Sequence, residues 1–289
     1  MLIIRSHRLI VITCSACVLL CLRSEASGLA QSVPDPCVAS SGSHRREREN
    51  IFNAQQEVWL SEAMREDVAP SFVSISDGSQ DQRLQRITDR LSSVHFQTGV
   101  RFQAQVISAK EANAFSVPDG QIYLTQTMVR VIRNDDELAF VIAHEMGHVI
   151  CHHLAIEVTR ELRAALRVTA LGGRSSIFAA YRRLLNGQRG MGSDYPDQER
   201  DQREADQVAV ALMKQAGYRP EAGFALWRRM SERGWPERKA SEQDSLRLCE
   251  LQALTAKHTA MGTSLYCPAE RSVTRTLEAI LRRVLLPLD

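Results

Sequence analysis

Apolar and polar positions change period several times along the chain, and each change predicts an element. From Asn134 to Ile150 the apolar residues Leu138, Val141, Ile142, Met146, Val149 and Ile150 recur at helical intervals. The stretch predicts a largely buried helix. Asn134 can serve as its N-cap, and Glu137, three residues on, completes a capping-box pattern. Asp135, Asp136 and Glu137 add negative charge at the positive end of the helix dipole.

The flanking pattern is read the same way. Residues from about Glu49 to Glu66 predict a helix on Ile51, Phe52, Val58 and Leu60. Ser71 to Gln80 reads as a polar break, after which Asp81 caps a helix through Leu84, Ile87 and Leu91. Val100 to Val106 alternates and predicts a strand. Asn113 to Gly120 is turn-rich, Gln121 to Thr125 is a second strand, and Thr127 to Ile132 a short helix. Past His148 the buried helix is expected to continue. Residues 155 to 187 are helical in pattern, laced with arginines and interrupted at Gly172-Gly173. Gly187 to Pro196 is a loop. Asp197 to Met213 begins acidic and turns apolar, as a helix start does, and Gly217 ends it. Pro220 opens a helix with Phe224, Leu226 and Trp227, and the tail from about Ser241 to Leu286 predicts two more. There is no internal repeat.

Composition changes this picture only at the start of the chain. The 289 residues, 44% hydrophobic and 24% charged, are those of a globular protein with one or two domains. A net charge of +2 points to no polyanionic partner, and no nucleic-acid binding is expected. In the first thirty residues, Arg5 and Arg8 precede an uncharged apolar run from Leu9 to Leu22, followed by Ser24-Glu25-Ala26 and Gly28-Leu29-Ala30. That order predicts a cleavable signal peptide over 1–30 and an exported, periplasmic or secreted product. An uncleaved anchor would need a run nearer 20 residues. A lipoprotein signal is the weaker reading, because Cys14 stands where an aliphatic residue is expected before Cys17. Peripheral membrane association stays open, as does oligomeric state. Residues 31–48 read as a linker, 49–235 as the main domain, and 236–289 as a helical extension packing on it. An oxidising compartment permits disulfides among Cys37, Cys151, Cys249 and Cys267, but four cysteines allow three pairings.

The candidate chemistry lies on the buried helix. His144 and His148 stand at i and i+4, so both imidazoles project from one face and can reach one zinc at about 2.0–2.1 Å. Glu145 is placed to act as general base on the attacking water. His152 and His153 follow closely, but on a continuous helix they miss the extended HExxHxxGxxH pattern: its Gly and last His positions hold Cys151 and Leu154. His153 would be turned about 100° from that last position. Both are therefore expected at the surface, and the third ligand elsewhere.

Three segments in order carry a resemblance. Asn113-Ala-Phe115 running to Thr125 is similar to an N-A-F-x-x-P-x-G-x-I-Y-x-T segment. Asp136-Glu137-Leu138 leads into His144-Glu145-Met146-Gly147-His148. Glu204-Ala205-Asp206 is followed by Leu212-Met213 and Ala216-Gly217-Tyr218. Together, over roughly residues 80 to 235, they resemble the HtpX/Oma-type zinc endopeptidases of metallopeptidase family 48. The resemblance implies an α+β, mainly helical gluzincin-type fold with a small sheet beside the HExxH helix. It also implies Zn2+ as cofactor, endopeptidase activity on protein or peptide substrates, and a task in protein quality control. It places Asp206 where it would orient a ligating His.

The chain departs from the family in two places. Where relatives carry E-x-E-A-D, this chain reads Gln202-Arg203-Glu204-Ala205-Asp206, so the third metal position falls on Gln202, a neutral and poorer donor. Glu199, one turn earlier, and Glu204, about 200° around the helix, are the carboxylate alternatives. Where exported relatives carry T-H-P, this chain has Tyr266-Cys267-Pro268. A plain structural Cys267 is the simpler reading of that position.

If Gln121 to Thr125 is a free edge, Ile122, Tyr123 and Leu124 could bind an extended substrate by strand addition. The expected activity is exported zinc-dependent endopeptidase. The alternative, motivated by Gln202, is a catalytically silent zinc-binding or chaperone-like homologue.

Overall fold

The computed structural model describes residues 49–68, 73–75, 77–94, 99–187, 198–232 and 242–255. The predicted leader, the linker, most of the loop before Asp197, Cys37, and the segment holding Tyr266 and Cys267 lie outside them.

The HExxH helix, α4 (Asp135–Ile150), forms for the reasons its sequence supplies. Asn134 has an extended backbone, and its side-chain oxygen accepts from the Glu137 backbone N–H at 2.9 Å. The Glu137 carboxylate reaches back, but to the N–H of Arg133 at 2.8 Å rather than that of Asn134. It is also gripped by Arg229 through two bonds of 3.0 and 2.7 Å. From Glu137 to Gly147 the helix is buried without a break.

Four strands form a sheet in the order β1 (Ser74–Ile75), β2 (Gln103–Ile107), β4 (Gln121–Thr125), β3 (Ala114–Ser116). β1 runs antiparallel to β2, β2 parallel to β4, and β3 antiparallel to β4. The alternation of β4 divides the core. Ile122 and Leu124 pack with α4 on one face, while Tyr123 faces the other side, stacked on Phe115 at 4.9 Å. Three helices build that second cluster: α1 (Ala54–Val68), α5 (His153–Leu166) and α6 (Arg174–Gly187). On the first face, α2 (Gly78–Ser92), α7 (Gln198–Gln215), α8 (Glu221–Glu232) and α9 (Glu242–Thr255) surround α4, and α3 (Gln126–Val131) leads into it. Among the described residues, no single helix is long and apolar enough to cross a membrane.

Four expectations need correction. Asp77, not Asp81, caps α2: its side chain accepts from Ser79 N at 3.1 Å, so the helix starts inside the predicted polar break. The turn-rich segment contains β3, three residues too short to show an alternation. Its hairpin turns at Gly120, whose φ of +92° suits glycine, and where a Cβ would lie 2.8 Å from the Arg101 carbonyl oxygen. β4 is not an edge. It is paired on both sides, which encloses Ile122, Tyr123 and Leu124. Among the described strands, the outermost on that side is β3. Finally, α4 does not continue past Ile150. Cys151 caps it, His152 turns left-handed at φ 56°, and α5 leaves with a bend of 46°. A non-glycine residue there costs about 1–2 kcal/mol. Glu57 on α1 offsets it by facing His152 Nδ1 at 2.9 and 3.1 Å.

Candidate metal centre

The site forms where α4 crosses α7. The crossing is close because glycine meets alanine: a Cβ on Gly147 would lie 2.9 Å from both the Cα and the carbonyl oxygen of Ala205. This brings one face of each helix together. α4 presents His144 and His148, and α7 presents Gln202 and, a turn later, Asp206.

His144 Nε2 and His148 Nε2 are 3.1 Å apart. The Gln202 amide stands beside both, with Oε1 3.2 Å from His144 Nε2 and Nε2 3.3 Å from His148 Nε2. The two ends of an amide can exchange by a flip, so either can face the site. Donors bound at about 2.1 Å around a tetrahedral ion stand roughly 3.4 Å from one another. The three side chains therefore fit a zinc ion in number and spacing. Their shortfall is charge, because the amide is neutral where a carboxylate would bring a negative charge.

Glu204 points elsewhere. It is buried, with Oε2 3.0 Å from His153 Nε2. The Glu199 side chain lies outside the described residues. His153, expected at the surface, is only 5% exposed. The left-handed turn at His152 re-aims it, so that its Nδ1 stands 3.0 Å from His148 Nδ1. His152 is the exposed one of the pair. Donor atoms of Cys151, His153 and Glu204 lie within 4.8 Å of one another. Cys151 is disulfide-bonded, however, so it brings no thiolate.

Behind His144 stands Asp206. Its Oδ1 is 2.9 Å from His144 Nδ1, close enough for charge to act although the bond is not well aligned. Arg247 from α9 clasps Asp206 with two bonds of 2.8 and 2.9 Å and lies 4.2 Å over the Trp227 ring. Burial alone would raise the Asp206 carboxyl. The charge and hydrogen bonds of Arg247, with His144, outweigh it and hold the pKa at about 2. Burial also pulls His148 well below the usual histidine range, aided by His144, His153 and Arg247. Arg247 was not singled out from sequence, because nothing in α9 marks its arginine as facing a buried carboxylate.

Glu145 follows His144 and is itself buried. Burial raises its carboxyl, while His144 and a 3.0 Å hydrogen bond donated by Ser116 Oγ pull it down. Ser116 ends β3, so the outermost described strand of the sheet touches this carboxylate.

The geometry agrees with what comparison finds. The chain is 30% identical over 151 residues to the mitochondrial metalloendopeptidase OMA1 of Schizosaccharomyces pombe, covering 50% of this chain and 42% of the relative. It is 28% identical over 158 residues to the beta-barrel assembly-enhancing protease of Escherichia coli, covering 51% and 32%. It is 26% identical over 198 residues to the metalloprotease LoiP of Escherichia coli, covering 68% and 76%. The chain thus spans under half the length of the first two and about three quarters of the third. The model of peptidase family M48 matches residues 78–266, well over half of the chain, and the chain belongs to that family.

Proposed function

We propose that this protein is an exported zinc-dependent endopeptidase that hydrolyses peptide bonds in proteins, with protein quality control as its setting. The observation that carries the reading is the convergence of His144, His148 and Gln202 within 3.3 Å, with the buried Glu145 next in the chain to His144 and its carboxyl under the influence of that imidazole. The roles assigned are His144, His148 and Gln202 as metal ligands, Glu145 as base and Asp206 as the group orienting His144. Zinc held there would lower the pKa of water and polarise the scissile carbonyl. Glu145 takes the proton of the attacking water and passes it to the leaving amide nitrogen. Its raised pKa suits a group that must hold a proton between those two events. Ser116 Oγ holds the carboxylate by a 3.0 Å hydrogen bond.

Two features support export. The first thirty residues have the order of a signal peptide. Cys151 and Cys249 are each disulfide-bonded, which suits an oxidising compartment.

Gln202 also motivates the rival reading, a silent zinc-binding homologue. Metal analysis and casein hydrolysis by purified wild type and Glu145→Gln separate the two. The expected result is about one zinc per chain in both, with the rate down by about 10²–10⁴ in the variant. A wild type that binds zinc and leaves casein intact would favour the silent homologue.

A further inference from the structure

His153 and Glu204 are buried beside the site, yet neither has a part in the chemistry above. We propose that they are positioning residues for His148: Glu204 sets the tautomer of His153, and His153 sets that of His148. The proposal rests on the reading of His148 as a metal ligand.

A ligating His148 needs a bare lone pair on Nε2, the nitrogen that faces His144 Nε2 at 3.1 Å. Its one proton must then sit on Nδ1. Nδ1 lies 3.0 Å from His153 Nδ1, and two ring nitrogens at that distance need one proton between them. His148 supplies it, so His153 Nδ1 must be bare. A neutral His153 then carries its own proton on Nε2, and that proton requires an acceptor. Glu204 Oε2 is there, 3.0 Å away, and an ionised carboxylate can only accept. Every nitrogen in the row thus has one role: the proton order runs from Glu204 outward and leaves the lone pair facing the site. The reverse order would place a proton on His148 Nε2 and block the metal.

The backbone makes this arrangement. On a continuous helix, a residue five positions after His148 would be turned about 140° away from it. The left-handed His152 and the 46° bend bring His153 back over His148 instead. Glu204 reaches it because α7 crosses α4 at the Gly147–Ala205 contact.

The test is zinc affinity, measured by chelator competition on purified wild type, Glu204→Gln, His153→Phe and His153→Asn. The Gln amide can donate as well as accept, so it no longer imposes an order. Phe removes the row. The Asn side-chain oxygen lies near the former Nδ1 position and can still accept from His148. Glu204→Gln and His153→Phe should weaken zinc by about 10–100-fold, the usual loss when a ligand's outer partner is removed. His153→Asn should recover most of that loss. Long-range 1H–15N correlation of the metal-free wild type should show the His148 proton on Nδ1, and a mixture in Glu204→Gln. Thermal unfolding of each metal-free variant checks that it folds, and Glu204→Gln keeps side-chain size should His153→Phe fail. Unchanged affinity in a folded Glu204→Gln, or a His148 proton on Nε2 in the wild type, would overturn the proposal. If the wild type binds no zinc, the metal reading falls instead, and the His148 tautomer still decides the support.

Discussion

His144 and His148 sit one turn apart and face one point, but different things stand behind them. His144 has a carboxylate directly at its back: Asp206, 2.9 Å from Nδ1, with a countercharge brought by Arg247 from α9. His148 has a second imidazole at its back, and the carboxylate, Glu204, is one ring further out. α7 supplies both carboxylates and leaves the position facing the site to an uncharged Gln202. Negative charge therefore reaches this centre at second hand, through the imidazoles. The difference teaches that an ion pair and a tautomer chain can do the same job of aiming a lone pair, at different structural cost. Both bury a carboxylate, but the first sets it against the ligand with its countercharge in contact, while the second sets it one ring further out, with Arg200 only as near as 3.8 Å.

The sharpest way to break the comparison is to remove the countercharge on one side only. Arg247→Met leaves Asp206 buried beside His144 without its partner, while the hydrocarbon still covers Trp227. Breaking a buried pair in this way costs about 3–5 kcal/mol, and urea denaturation of the metal-free protein reads it. The pH dependence carries a sign. The Asp206 pKa is depressed from 3.8 to about 2, so its stabilisation is fully present above about pH 4 and lost as pH falls through about 2. In Arg247→Met that depression is relieved, and acid unfolding should begin at higher pH than in wild type. A variant as stable as wild type would erase the distinction between the two supports.

A smaller effect sharpens it. Gln202→Glu places charge where the site lacks it and should tighten zinc by about tenfold or more, or about 1.4 kcal/mol. With a charged third donor, the aim of each histidine matters less. The penalty of Glu204→Gln should therefore be smaller in the Gln202→Glu background, a coupling that a double-mutant cycle of zinc affinities measures. Equal penalties in both backgrounds would show that His148 aim and donor charge act independently.

The smallest change is a control on both supports. Ser116→Ala removes a hydrogen bond that lowers the Glu145 pKa. The base would then protonate at higher pH, so the acid limb of the kcat/KM profile should move upward in pH while zinc affinity holds. Movement of zinc affinity would mean that β3 belongs to the metal support as well.

Much of this was legible in the residues. Asn134 capping Glu137 N, the apolar face of α4, and His144 and His148 on one side are all local, set within a few residues by helical period and capping chemistry. The family motifs likewise pointed to Asp206. The sequence offered Gln202, Glu199 and Glu204 without choosing, since their angles depend on how α7 lies against α4. Arg247 carried no mark at all: its place against Asp206 comes from the docking of α9 on α7 and α8.

What the sequence determined by itself is therefore the helix and the pair of histidines, because period and caps act along the chain. What the tertiary structure decided is where each remaining polar group points. β4 became an interior strand because three residues of β3 paired with it across a hairpin. His153 went from surface to core because one left-handed residue, held by Glu57 from α1, bent the helix beneath it. Glu204 faced His153 rather than the metal position because Gly147 and Ala205 set the rotation at which α7 meets α4. Each of these turns on a contact between segments distant in the chain, and a local pattern carries no record of which distant surface will meet it.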